Sequence, residues 1–149
     1  MTELRDIQLS LPMQLLRARE SAMAHFRPLL RKHDLTEQQW RVIRILACEA
    51  SLEAGELAER SMLLAPSLSR ILTHLEAAGM VQRKPHQGDQ RRSVLALTAA
   101  GKKKFRTVGP HSEGLYHTIE ARFGRAKLTQ LYALLAELNE AIEEPEEVE

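Results

Sequence analysis

Apolar residues recur at helical spacing along most of the chain, and the clearest departure from that spacing lies between Met80 and Leu97. Before Lys32, Leu4, Ile7, Leu11, Leu15, Ala18 and Ala22 fall on one face and predict an amphipathic helix whose start Pro12 delays. Thr36 with Gln39 three residues later forms a capping box, after which Trp40, Ile43, Leu46 and Ala47 recur to about Ala50. A short helix follows around Glu53 to Arg60, burying Leu57 and Ala58, and a tight link runs from Met62 to Ala65. Pro66 suits the first turn of the next helix and Gly79 the position just past its end. Leu68, Ile71, Leu72 and Leu75 form the buried stripe between them. Met80 to Lys84 and Ser93 to Leu97 then read as hairpin strands, joined by turn-compatible Pro85 to Asp89 and by Gln90 to Arg92. Two further stripes, Leu115–Ile119–Phe123 and Leu128–Leu131–Leu135–Leu138–Ile142, predict C-terminal helices, with Gly109-Pro110 expected to interrupt the helix after the hairpin. The fold class is mainly α with a small β-hairpin.

The stripe on the fourth helix turns Ser67, Arg70, Thr73, His74 and, at its margin, Ser69 outward. A helix fits the major groove, an arginine can bond both acceptors of a guanine edge, and Ser or Thr can serve a base or a phosphate. Any solvated helix has a polar face. The short helix before it and the hairpin after it make a winged helix-turn-helix the sharper reading, with the loop as the wing. Such a loop places arginines over the adjoining minor groove, and Arg91 and Arg92 are the candidates. Asp89 either only shapes the turn or pairs with Arg91 and holds the wing in place; the pairing is the expectation.

Charge adds to this picture once it is divided along the chain. The net charge is +1, yet Glu137 to Glu149 carry seven acids and no base, which leaves +8 on the rest. Arg83 to Arg106 hold eight basic residues against one acid, Asp89, a density suited to a phosphate-facing surface, although a solvated basic face is the plainer alternative. The chain has one domain's length, no run approaching the roughly 20 apolar residues of a membrane span, and no secretory signal pattern, so a cytoplasmic protein is expected. The lone Cys48 fits a reducing compartment. Histidines 25, 33, 74, 86, 111 and 117 include no helical pair at ligand spacing, and no phosphate loop or G-x-S-x-G elbow occurs, so neither a metal, a cofactor nor an enzyme is expected.

Asp89, Gln90, Arg91, five further residues, then Leu97-Thr98 resemble the D-x-R-x5-L-T wing signature of the MarR family of bacterial regulators. Leu57-Ala58, Ser69-Arg70, Leu75-Glu76, Gly79 and Thr98-x-x-Gly101 fall where that family has them, so the resemblance covers nearly the whole chain. Ala18-Arg19-Glu20, Phe26-Arg27-Pro28 and Leu35 to Arg41 resemble more narrowly its HpaR-type branch, repressors of homoprotocatechuate (3,4-dihydroxyphenylacetate) degradation. The resemblance implies a homodimer that represses a catabolic operon and releases DNA when an aromatic acid binds. It also implies an effector like 3,4-dihydroxyphenylacetate or 4-hydroxyphenylacetate. On this basis residues 34–98 form the DNA-binding lobe, 1–33 and 99–143 the dimerisation helices, and 144–149 a flexible acidic tail.

The residues offer their own argument for a carboxylate ligand. Arg19 has Leu15, Leu16, Ala22 and Met23 on its helical face, an apolar patch in which a cation needs a partner. An aromatic carboxylate supplies paired acceptors while its ring occupies apolar space; an internal carboxylate or a partner subunit would serve the guanidinium equally. Ser21 and His25 lie further along the same helix, and Trp40 and Arg44 could complete a wall, although Trp40 also fits plain core. Two other function classes stay open: a thiol-redox regulator using Cys48, and a winged interaction adaptor that does not read DNA.

Overall fold

The computed structural model describes residues 3–89 and 91–143, so the tail expected at 144–149 lies outside the described residues, as does Gln90 in the wing. A 3₁₀ turn, Ile7–Leu9, precedes α1 (Leu11–Lys32), α2 (Glu37–Ala47), β1 (Leu52–Glu53), α3 (Ala54–Ser61) and α4 (Ala65–Ala77). Then come β2 (Val81–Pro85), β3 (Ser93–Leu97), α5 (Ala99–Phe123) and α6 (Arg125–Ile142). The chain divides into two compact units, residues 1–112 and 113–149.

Local chemistry sets these boundaries. Pro12 sits in the first turn of α1, where its missing N–H costs nothing. At α2 the expected capping box is complete: Thr36 Oγ1 accepts the Gln39 N–H and Gln39 Oε1 accepts the Thr36 N–H, both at 3.1 Å. Three helices stop by the same device, one left-handed residue followed by an N–H that reaches back five positions. Gly79 (φ 75°) ends α4 with Met80 N–H on the Leu75 carbonyl at 2.9 Å. Asp34 (φ 57°) and Met62 (φ 56°) do the same after α1 and α3 without being glycine, a conformation that costs an L-residue roughly 1–2 kcal/mol.

In the first unit β3 is central, in the order β1-β3-β2, with β2 and β3 paired antiparallel from Val81↔Leu97 to Pro85↔Ser93. The two-residue β1, absent from the sequence expectation, pairs Leu52↔Leu95 and Glu53↔Val94. The core gathers Leu30, Ile43, Leu46, Leu57, Leu72 and Leu95, each at most 2% exposed. Removing any one of these side chains beyond Cβ costs roughly 2–5 kcal/mol, because the cavity adds to the lost transfer energy.

Thr98 joins the hairpin to α5. Its hydroxyl donates to the Gly79 carbonyl at 2.6 Å and accepts the Gly101 N–H at 3.1 Å. A Cβ on Gly101 would stand 2.1 Å from the Met80 carbonyl oxygen, so only glycine permits this approach. The interruption expected at Gly109-Pro110 does not occur: α5 is continuous from Ala99 to Phe123. Proline deprives only the Arg106 carbonyl of its donor. Arg106 and Pro110 lie on the exposed, solvent-facing side of the helix, while Val108 and Ser112 are buried on the other.

Each unit also leaves apolar surface uncovered. In the first, Leu11, Met13, Leu15 and Leu16 of α1 are 40–50% exposed, and only Phe26 and Leu30 of that helix are buried. In the second, Leu128 is buried while Leu131, Tyr132, Leu134 and Ile142 are 40–61% exposed.

Candidate nucleic-acid interface

The α4 stripe divides largely as its spacing predicts, except that Ile71, expected to be buried, is only half-buried. Leu68, Leu72 and Leu75 are buried, while Ser69, Arg70, Thr73 and His74 are exposed and Ser67 is half-buried. Thr73 Oγ1 donates to the Ser69 carbonyl at 3.0 Å, so its hydroxyl offers lone pairs and a methyl outward rather than a free proton. Beside this face lies an open groove of about 460 Å³, lined by Thr36, Gln38 and Gln39 from α2 and by Leu63, Ser67, Arg70, Ile71 and His74. Thr36, Gln38 and Gln39 were not expected there; the spacing of α4 alone carries no information about what α2 sets beside it.

The arginines of residues 34–98 separate by what holds them. Arg41 donates to the Ser61 carbonyl at 2.8 Å and ties α2 to the end of α3. Arg60 bonds Glu49 and Glu56, both at 2.8 Å, and the Glu49 hydrogen bond chiefly raises its already high pKa. Arg83 bonds Glu76 at 2.9 Å. Arg92 bonds the Glu53 carboxylate at 2.6 Å, which likewise raises its pKa. The guanidiniums of Arg70 and Arg91 have no hydrogen bond or ion pair among the described residues. A fixed cation without an internal counter-charge is available to a phosphate or a guanine edge at no cost in broken contacts.

In the wing, two expectations change. The Asp89 carboxylate accepts the main-chain N–H of Arg91 at 2.9 Å, and the Asp89 carbonyl accepts the N–H of Arg92 at 3.1 Å. Asp89 therefore shapes the turn as an Asx cap, and the expected pairing with the Arg91 side chain is not made. Arg92, expected over the minor groove alongside Arg91, is engaged by Glu53 of β1, a residue 39 positions earlier.

The expected effector residues lie outside the two grooves described for the single chain. Arg19 lies on α1 with its guanidinium 2.8 Å from Glu37 and 3.5 Å from Glu20, so its need for a partner in an apolar setting is met internally. The Glu20 carboxylate in turn takes two hydrogen bonds from Arg27, at 2.7 and 2.9 Å, which hold it below the usual carboxylate range. Glu37 is the point where these charges meet: its other oxygen is buried, accepts no hydrogen bond, and faces Arg27 at 3.4 Å. Ser21 is exposed and His25 half-buried. Trp40 is 6% exposed and stacks on Phe105 with ring centroids 5.9 Å apart, while Arg44, one turn on, is exposed. A second groove of about 320 Å³ runs along Arg27, Leu30, Arg31, Leu35, Thr36, Glu37 and Gln38. None of the five residues lines either groove. Cys48 caps the end of α2 and is exposed. Among the described residues no three His, Cys, Asp or Glu gather as a metal site, and no helix is long and apolar enough to cross a membrane.

Comparison with known proteins adds an independent line. The MarR family profile matches residues 35–93, the stretch from the cap of α2 to the start of β3. The chain is 44% identical to the homoprotocatechuate degradative operon repressor of Escherichia coli over 128 residues, 86% of each chain. It is also 44% identical to the HTH-type transcriptional regulator FarR of Neisseria gonorrhoeae, over 87% of this chain and 88% of that one. Among solved structures, NadR in complex with 4-hydroxyphenylacetate superposes with a TM-score of 0.78 at 42% identity, covering 92% of this chain and 97% of the other. With the winged lobe, the wing signature and near full-length relatives in agreement, the chain belongs to the MarR family.

Proposed function

We propose that this protein is a DNA-binding transcriptional repressor of an aromatic-catabolic operon, acting as a homodimer on a pseudo-palindromic operator. The observation that carries the reading is the pair of guanidiniums without a partner among the described residues, Arg70 on the exposed face of α4 and Arg91 at the wing, set among arginines that their own protein has engaged. In the reading, α4 enters the major groove with Ser67, Ser69, Arg70, Thr73 and His74, and Arg91 reaches the minor groove beside it. Two such lobes related by a two-fold axis meet half-sites about 34–36 Å apart. The uncovered leucines of α1 and α6 are the surfaces a second copy would bury.

The effector is a small aromatic carboxylate of the 4-hydroxyphenylacetate or 3,4-dihydroxyphenylacetate type. Support comes from the relatives: one represses a homoprotocatechuate operon and another binds 4-hydroxyphenylacetate. Arg19, Ser21, His25, Trp40 and Arg44 are the candidate contacts. An acid bound by Arg19 competes with the Glu37 carboxylate for the guanidinium, and that competition loosens one of the two arginine contacts that link α1 to Glu37 of α2. A ligand shifts the spacing of two recognition helices only through unequal affinity for the two arrangements, and loss of this contact supplies one such difference.

The experiment is a titration of the protein bound to its own upstream duplex, at fixed salt, with 3,4-dihydroxyphenylacetate, 4-hydroxyphenylacetate, protocatechuate and salicylate. Selective release by one of the first two is expected, with Arg19→Ala binding DNA but losing the response. Release by none of the four removes the aromatic-acid sensor; a normal response in Arg19→Ala removes that residue from the pocket.

A further inference from the structure

The wing is closed at its neck by the His86 N–H on the Arg92 carbonyl at 2.9 Å, and one carboxylate stands across both sides of that neck. Glu53 bonds Arg92 at 2.6 Å on the ascending side and lies 3.4 Å from His86 Nε2 on the descending side. His86 Nδ1 accepts the Gly88 N–H at 3.0 Å, which leaves Nε2 carrying the ring proton and facing Glu53. Glu53 belongs to β1, opposite Val94 of β3, and it is also the residue before the first turn of α3. At that position a side chain commonly caps the helix, yet Glu53 makes no capping bond. Its carboxylate is spent on the wing instead.

Resting on the DNA-binding reading above, we propose that Glu53 is a positioning residue that straps the wing to the start of the helix-turn-helix, with Arg92 as its anchor, His86 Nε2 standing 3.4 Å beside it, and Arg91 as the cation it presents to DNA. Glu53 touches no nucleic acid. Its effect is to remove freedom from the wing before binding, so that seating Arg91 does not have to order the loop. Arg92 is assigned to the strap because Glu53 already occupies its Nε and Nη2, the edge of the guanidinium that would otherwise make a paired contact to a phosphate or a base.

Two measurements on the full chain test this. In the free protein, amide exchange of residues 86–92 should rise in Glu53→Gln while the amides of α2 and α4 keep their protection; an unchanged wing overturns the strap. On the operator duplex, Glu53→Gln and Arg92→Glu should each weaken binding by about tenfold, and the swapped pair Glu53→Arg/Arg92→Glu should recover most of that loss, as coupled partners do. No recovery in the swap, or a loss for Arg92→Ala with none for Glu53→Gln, places Arg92 on DNA and overturns the assignment. Wild-type protein with a protected wing and no affinity for duplex DNA would keep the strap and refute the DNA-binding reading alone.

Discussion

Among the described residues Arg70 and Arg91 lack internal partners of the kind that engage Arg41, Arg60, Arg83 and Arg92, so their substitution should disturb binding without disturbing the fold. Arg91→Ala should weaken all operator binding and lower the salt dependence by about one phosphate contact. Arg70→Ala should also relax base preference by roughly 1–3 kcal/mol at one position if it reads a guanine. Binding isotherms on duplexes varied base by base decide between them; unchanged preference in Arg70→Ala makes that residue a phosphate contact. Glu20 supplies a pH prediction. Its carboxyl is held below the ordinary range chiefly by the Arg27 hydrogen bonds, so the stabilisation is present above the unfolded carboxylate value and fades as pH falls through the folded one. Glu20→Gln should therefore lower the thermal midpoint at about pH 7, and the gap to wild type should narrow as pH falls below the ordinary carboxylate range; a constant gap would show a role other than charge. At this scale the sequence names cations better than it names their partners. The Arg19 patch is visible in i±3 and i±4 neighbours, but Glu37 lies 18 positions away and Glu53 lies 39 from Arg92, distances that only the tertiary fold closes.

The elements most legible in the sequence are those whose ends carry chemistry as well as periodicity. Thr36 and Gln39 mark the start of α2 through two specific bonds, and Gly79 marks the end of α4 through its positive φ. The stops at Asp34 and Met62 use the same geometry with residues that do not advertise it. β1 escapes because two residues have no period. Gly109-Pro110 misleads because the cost of an internal proline depends on whether the orphaned carbonyl meets water, and that is a property of the exposed side of α5 rather than of the dipeptide. The junction at Thr98 gives the element-scale test. Gly101→Ala drives a Cβ into the Met80 carbonyl and should destabilise by roughly 1–3 kcal/mol in chemical denaturation, with the hairpin losing protection first. A neutral effect would mean that α5 slides away from Met80 at little cost. A Leu72→Ala control, which opens a cavity in the core, should cost roughly 2–5 kcal/mol.

At the scale of the molecule, each unit leaves leucines in water, and such patches in a small protein mark an interaction surface. Sedimentation should return twice the 16.9 kDa chain mass, and Leu15→Glu/Leu16→Glu should shift it towards one chain while the winged lobe keeps its fold. A variant that stays dimeric places the interface elsewhere. In the proposed dimer, two-fold symmetry would fix how the protein meets DNA, because both recognition helices would have to enter the same face of the duplex one helical turn apart. Hydroxyl-radical footprinting of the protein on its own upstream duplex tests that arrangement most directly. Two protected half-sites separated by about 10 base pairs are expected, each flanked by a minor-groove protection that Arg91→Ala erases. A single unpaired footprint, or protection that ignores sequence and survives loss of both Arg70 and Arg91, would contradict that arrangement.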